Sequence, residues 1–319
     1  MAGLLGRGYL VRTTVRDAGK SEQVRAAVGE QAGVEAAAAI EVVSADLLAD
    51  EGWEEAVTGV DYVLHTASPL GFNLDEDLIR IAREGVARVL GAAARAGVKR
   101  AVYTSSGVTA IVDHPSPHGV ETVWATPAGI PARQYNDSKI LAERDAWKIA
   151  DETGLELSSV LPTFMQGPVL GTPSREGSVE VVRRMLAGGV PAVPNIGWDI
   201  VDVRDIARLH ILAMTSPAAA GERFLGSGGW LWWRDMARIL RDMLPDAPRK
   251  VPTRAMPDGI VKLLARFNPQ MAALRLDLGK QVAVDSGKAR TLLEWHSRPA
   301  EQTIIDTATS LIVKNALGK

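Results

Sequence analysis

The chain has 319 residues, 46% hydrophobic and 23% charged, and its 36 Lys and Arg against 38 Asp and Glu leave a net charge of −2. These are soluble globular values for one large domain or two modest ones, and they exclude a disordered chain, a collagen-like repeat and a polycationic nucleic-acid binder. The lack of cysteine excludes a disulfide framework, a thiolate nucleophile and a Cys-containing zinc site, and agrees with a cytoplasmic location.

At the N-terminus, Gly3, Gly6, Arg7 and Gly8 interrupt the apolar stretch before a signal-peptide core of about 7 residues can form. No uncharged apolar run approaches the roughly 18 residues of a bilayer span, so no membrane partner is expected. Gly8–Arg16 is rich in strand formers, and Gly19–Gly29 reads as a helix. Ile40–Val43 predicts a strand, Glu51–Val57 a short helix and Asp61–Thr66 a strand. The amphipathic stretch Leu74–Ala96 predicts a long helix closed by Gly97. Arg100–Ser105 predicts a strand, Tyr135–Thr153 a helix ending at Gly154, and Leu155–Leu161 another strand. Such alternation predicts an α/β fold with a doubly wound, Rossmann-type parallel sheet. After Pro162 the alternation loosens into Gly- and Pro-rich loops, with short strands near Ile200–Val203 and Arg223–Leu225 and a helix over Arg234–Leu244. Residues 1–161 therefore read as a dinucleotide-binding region, and residues 162–319 as a smaller, mainly substrate-binding region interleaved with it.

Tyr135 and Lys139 share a helix face at i,i+4 spacing. A phenol with pKa about 10 is a poor proton donor or acceptor at neutral pH, and a neighbouring cation lowers that value. Such pairs are common on ordinary amphipathic helices. The strand before this one, however, ends in Thr104, Ser105 and Ser106, at the carboxyl edge where open α/β sheets hold ligands. Arg16, followed by Asp17, ends the Tyr9–Val15 strand, and a guanidinium there suits the 2′-phosphate of NADP while Asp17 leaves NAD possible. Asp202 and Asp205 stand at helix-cap spacing, as Asp46 does before its own turn. His114 and His118 flank Pro115 and Pro117 and read as a surface loop, so no metal is expected; Trp230, Trp232 and Trp233 read chiefly as core packing.

Taken in order, these segments resemble the extended short-chain dehydrogenase/reductase family, that is, the NAD-dependent epimerase/dehydratase family. The likeness is to its branch of dihydroflavonol, cinnamoyl-CoA and bacterial or fungal aldehyde reductases. Val11–Asp17 resembles the second strand, Ser44–Leu47 the adenine-contacting turn and Leu64–Pro69 the strand end along the cofactor. Thr104–Ser106 with Tyr135 and Lys139 resembles the catalytic set, Pro162–Pro168 the nicotinamide-side loop, and Val201–Ala207 and Lys288–Trp295 two later motifs. Glu294 stands where the family usually has Gly, and Gln166 where an apolar residue is usual; Ile111 replaces the substrate-contacting Asn of plant dihydroflavonol reductases, so flavonoid specificity has no support. The resemblance implies that Tyr135 protonates the carbonyl oxygen, that Ser106, or its neighbour Ser105, hydrogen-bonds that oxygen, and that Lys139 lowers the phenol pKa and holds the nicotinamide ribose. It implies cofactor contacts at Arg16, Asp46, Leu47, Thr66, Ala67 and Pro162 besides Tyr135 and Lys139.

The family's Gly-rich phosphate turn should follow a first strand and open a helix. Gly3, Gly6 and Gly8 mimic its spacing, but only two residues precede Gly3 and a strand follows Gly8, so Met1–Gly8 reads as the tail of the first helix. The expectation is a chain lacking the first strand and Gly loop, with both neighbouring strands deprived of a central partner, and with weak cofactor binding if nothing precedes Met1. The function read from the sequence is hydride transfer between NADP(H) and a small carbonyl or alcohol in a monomer or homodimer. A sugar-nucleotide epimerase or dehydratase, or a non-catalytic dinucleotide-fold protein, are the alternatives.

Overall fold

In the strand Arg100–Thr104, period-two alternation sends Ala101 and Tyr103 to one side of a sheet and Val102 to the other, and this divides the molecule's core into layers. The structure is a computed structural model that describes residues 1–69, 77–111, 118–172, 177–242 and 251–317. Its elements begin with α1 (Ala2–Leu5), β1 (Arg12–Val15), α2 (Ser21–Ala32), α3 (Val34–Ala38), β2 (Glu41–Ser44), α4 (Trp53–Val57) and β3 (Tyr62–His65). There follow α5 (Leu78–Ala96), β4 (Arg100–Thr104), β5 (His118–Gly119), α6 (Gln134–Thr153), β6 (Leu157–Pro162), β7 (Phe164–Gln166), α7 (Val179–Ala187) and β8 (Gly197–Asp202). The remainder comprises α8 (Val203–Thr215), β9 (Arg223–Gly226), β10 (Trp230–Trp232), α9 (Trp233–Asp242), α10 (Asp258–Leu264), α11 (Pro269–Arg275), β11 (Ala283–Val284), α12 (Gly287–Leu293) and α13 (Ala300–Val313).

Two parallel ladders carry the Rossmann-type part. One is β1-β2; the other is the four-stranded β3-β4-β6-β9. Among the described residues no strand joins β1 to β3. The two sheets nonetheless approach: the Arg12 guanidinium donates to the carbonyls of Ala56 and Thr58, just ahead of β3, at 3.3 and 2.7 Å. The expected strand over Gly8–Arg16 is shorter than its composition suggests. Gly8 turns the backbone at φ +79, Leu10 is 98% exposed, and the pairing starts only where Arg12 meets Glu41.

The long central helices are those the periodicity predicts. The Asp77 carboxylate caps α5 by accepting from Arg80 N–H at 2.9 Å, and Gly97 closes it at φ +67; the expected start at Leu74 lies outside the described residues. Alanines at 142, 146 and 150 on α6 let it pack closely against Val86, Leu90 and Ala93 of α5, over Ala101 and Tyr103. On the opposite face, Val102 and Val160 meet Ile206, Leu209 and Ala213 of α8. Truncating a fully buried side chain here, such as Leu90, would cost about 2–5 kcal/mol.

The second part of the chain is woven into the first, since β9 returns from residue 223 to pair with β6. Beside it, β10-β8-β7 forms a three-stranded sheet over a separate core with α7, α9 and α13. Trp233 is buried in that core, its ring edge-on to Trp198, which stacks on Phe164 at 4.1 Å. Gln166, the polar departure in the nicotinamide-side loop, is buried and donates to the Ser178 carbonyl at 2.7 Å, tying β7 to the start of α7. His118 opens the two-residue strand β5, which pairs with β11, where a loop was expected; His114 lies outside the described residues.

Candidate functional site

Every candidate residue sits at or just beyond the carboxyl end of a parallel strand, or on the first turns of α6. Arg16 follows β1, Asp46 and Leu47 follow β2, Thr66 and Ala67 follow β3, Ser105 and Ser106 follow β4, and Pro162 ends β6. This placement is a consequence of parallel topology: within each of the two parallel ladders the strands point the same way, so their carboxyl ends gather on one edge of that ladder. Helix α6 is fixed over that edge by its own loop. The buried Asp137 carboxylate accepts from the N–H groups of Ala128 and Gly129 at 2.7 and 2.8 Å. Arg133, just ahead of the helix, makes a two-pronged bond to Asp277 at 2.5 and 3.1 Å.

The fold brings the three catalytic candidates together. Ser106 is hydrogen-bonded to the Tyr135 side chain, and the Lys139 ammonium donates to the Thr104 carbonyl at 3.4 Å. Burial pushes the Tyr135 phenol above its ordinary value, with the Ser106 bond opposing that shift. Lys139 is drawn down to about 8, chiefly by burial, with the Glu143 carboxylate pulling the other way. His65, at the end of β3, is lowered to about 3 by burial and by the nearby Lys139 charge, so it is neutral at pH 7. Its ring lies 5.6 Å from that of Tyr103.

The outer candidates differ in how far they are already engaged. Asp17 accepts from Gly19 N–H at 2.9 Å as the cap of a short turn, while Arg16 is exposed and, among the described residues, makes no ion pair. Asp46 accepts from Leu48 N–H at 2.9 Å, the capping bond that its position before a turn predicted. Leu47 is half-buried against Gly85, and Thr66 and Ala67 are exposed. Asp202 caps α8 through Arg204 N–H at 2.8 Å; Asp205 instead holds Arg298, at 2.8 Å for the closest contact.

As a donor set this edge suits a dinucleotide at two places. The Lys139 ammonium and Tyr135 phenol are donors of the kind a ribose accepts from, and the exposed Arg16 guanidinium, with no ion pair among the described residues, is of the kind that binds a phosphate. Among the described residues, no glycine turn links a strand to a helix N-terminus ahead of β1. No group of three His, Asp or Glu among the described residues is arranged to hold a metal ion.

Sequence reasoning missed Glu143, Arg223, His65 and Asp199. Glu143 was within reach: it continues the Tyr135, Lys139 series at i+4 spacing on α6. Arg223 and Asp199 arrive from distant strands and carry no local signal. Asp199, on β8, accepts from Thr163 Oγ1 at 3.1 Å, and burial raises its carboxyl to about 6.

A family model described as the NAD dependent epimerase/dehydratase family matches residues 1–225. The chain is also 34% identical over 257 residues to tetraketide alpha-pyrone reductase 2 of Arabidopsis thaliana, covering 77% of this chain and 78% of that one. The chain belongs to the NAD dependent epimerase/dehydratase family. Within that family, cinnamoyl-CoA reductase 1 of Petunia hybrida is 35% identical over 258 residues, covering 79% of this chain and 74% of the other. Among solved structures, the fold is shared with a yeast methylglyoxal/isovaleraldehyde reductase complexed with NADPH, at TM-score 0.78 and 23% identity over 99% of this chain and 94% of that one. The α/β architecture read from the alternation of elements is thus that of a family member.

Proposed function

We propose that the chain is an NADP(H)-dependent carbonyl reductase that reduces a small or aryl aldehyde or ketone and runs the reverse alcohol oxidation. The observation that carries this reading is the hydrogen-bonded Ser106–Tyr135 pair with Lys139 one helical turn further on. The named activities of the relatives, reductases of a tetraketide pyrone and of a cinnamoyl-CoA, support it, and the NADPH complex of the yeast structure supports the choice of cofactor together with the free Arg16.

When bound, a dihydronicotinamide supplies hydride to the carbonyl carbon. Charge then develops on the carbonyl oxygen, where Tyr135 and Ser106 stand as paired donors. Donors fixed in advance at that oxygen stabilise the transition state more than the ground state. Tyr135 gives its proton to the oxygen, and the Lys139 ammonium on the same helix face offsets the phenolate that remains. A bound cofactor would have its 2′-phosphate held by Arg16, with Asp46, Leu47, Thr66, Ala67 and Pro162 as its contacts at the strand ends. Residues 1–161 hold the cofactor and residues 162–319 mainly the substrate, with β9 crossing between them.

The protein acts as a monomer or homodimer in the cytoplasm, a location that a chain without cysteine suits. Among the described residues no helix is long and apolar enough to cross a membrane.

The test is a panel of aldehydes and ketones assayed by NADPH and NADH oxidation. Net oxidation of NADPH with at least one carbonyl is expected; a product formed without net cofactor consumption would instead mark an epimerase or dehydratase. Tyr135→Phe should lower kcat by about 100-fold or more with the fold intact, and an unchanged kcat would refute the assignment.

A further inference from the structure

Behind the Ser106–Tyr135 pair lies an ion pair almost sealed from solvent. Glu143 is fully buried and Arg223, at the start of β9, is 5% exposed. Their side chains meet twice, Nε to Oε1 at 2.9 Å and Nη2 to Oε2 at 3.0 Å. Glu143 also accepts from Ser105 Oγ at 2.7 Å. Arg223 donates to Thr109 Oγ1 at 3.0 Å and to the carbonyls of Glu121 and Val123 at 2.6 and 2.7 Å, and its guanidinium lies 3.8 Å from the Trp124 ring centre. The pair therefore gathers α6, β9 and the segment carrying Ser105 and Ser106 at one point. Apolar residues of equal volume commonly hold a core as well as a buried ion pair does, so packing alone does not account for two charges here.

We propose that Glu143, held by Arg223, is a positioning residue for carbonyl reduction: it tethers Ser105, and through it Ser106, to α6 and keeps negative charge beside Lys139. This rests on the roles assigned above to Ser106, Tyr135 and Lys139. Among the described residues, the groups around Lys139 leave Glu143 as the countercharge. His65 from β3 is neutral. The Tyr135 and Tyr103 phenols are pushed up by burial and stay protonated. Arg83 on α5 is turned to Asp145 at 2.6 Å, and Arg223 is already paired with Glu143 itself. Asp137, on the same helix, is committed to the loop amides of Ala128 and Gly129.

The direct readout is the titration of Lys139 followed by its ¹³Cε resonance in the cofactor-free protein, assigned with Lys139→Arg. Glu143→Gln should lower the Lys139 midpoint by about one pH unit, move the alkaline limb of kcat/KM for NADPH-driven reduction down by the same amount, and cut kcat about tenfold. Glu143→Asp keeps the charge but withdraws it by one methylene, so the Lys139 midpoint should hold while kcat falls as the Ser105 tether is lost. Ser105→Ala removes the bond to Glu143 together with a 3.3 Å contact to Thr109 Oγ1, leaves Arg223 paired with Glu143, and should lower kcat without moving Lys139, so it tests the tether even if Glu143→Gln does not fold. A wild-type Lys139 midpoint in folded Glu143→Gln, or a wild-type kcat in Ser105→Ala, would overturn the proposal. Should the Lys139 midpoint move as expected while Tyr135→Phe retains full turnover, the reductase reading fails and the electrostatic role of Glu143 survives.

Discussion

The role proposed for Lys139 needs its charge, burial disfavours that charge, and the conflict sets a measurable limit. Its ammonium is drawn down to about 8 by burial, so the charged form is lost as pH rises through that value. Carbonyl reduction should therefore decline above about pH 8 in a kcat/KM profile; a plateau extending beyond pH 10 would contradict the role given to Lys139. Glu294 is a second residue under constraint. It sits at the end of α12 with φ +50, the left-handed region that costs a side chain roughly 1–2 kcal/mol. The resemblance marked this position as one where Gly is usual, and the backbone gives the reason. Glu294→Gly should stabilise the protein by roughly 0.5–1 kcal/mol after the glycine's greater unfolded-state freedom is counted, visible as a higher Tm. An unchanged or lower Tm would show that the Glu294 side chain compensates.

At the scale of elements, the two parallel ladders should differ in stability. In the larger sheet, β4 and β6 each have a partner on both sides and an apolar layer on each face. Among the described residues, β1 and β2 pair only with each other, over a small core of Val11, Val28, Ala37 and Ile40. A two-stranded unit with so little burial opens locally far more readily than a central pair of strands. Amide hydrogen exchange should thus be at least about 100-fold faster in β1 and β2 than in β4 and β6. Equal protection in the two sheets would mean that they open as one unit. Much of this was legible. The strand–helix alternation predicted β1, β2, β3, β4 and β6, the strand-forming run at Arg223–Leu225 predicted β9, and the shared face of Tyr135 and Lys139 follows from helical spacing alone. The end of β1 was not: its composition continues through Tyr9 and Leu10, but pairing stops where no neighbour is aligned with it.

Across the whole molecule, buried titrating groups tie stability to pH. His210 bridges β4 and α8: its Nδ1–H donates to the Ile206 carbonyl at 2.8 Å, and its Nε2 accepts from Thr104 Oγ1 at 2.7 Å. Burial lowers it to about 4, and burial with the Lys139 charge lowers His65 to about 3, against 6.5 for either when unfolded. Between pH 6.5 and about 4 the unfolded chain therefore binds more protons, and stability falls as pH drops through that range. Asp199 works against this: raised from 3.8 to about 6, it is protonated first in the folded state and gains stability as pH falls through 6. Two imidazoles outweigh one carboxyl, so Tm should fall from pH 6.5 to 4, and Asp199→Asn should steepen that fall. A Tm independent of pH over this range would refute the burial of both imidazoles.

Local sequence was enough to give the α/β class, the order of the elements and the short-range pairings: helix caps at Gly97 and Asp202, and Tyr135 with Lys139 on one face. Each depends on neighbours within a few residues, whose geometry backbone period and hydrogen bonding dictate. Tertiary packing settled which hydroxyl meets Tyr135, that Asp17 spends its carboxylate on Gly19 while Arg16 makes no ion pair among the described residues, and that Arg223 reaches Glu143 from a strand 80 residues away. Those contacts are set by how sheets, helices and loops pack. A residue's own sequence neighbourhood holds no record of what another segment will bring beside it.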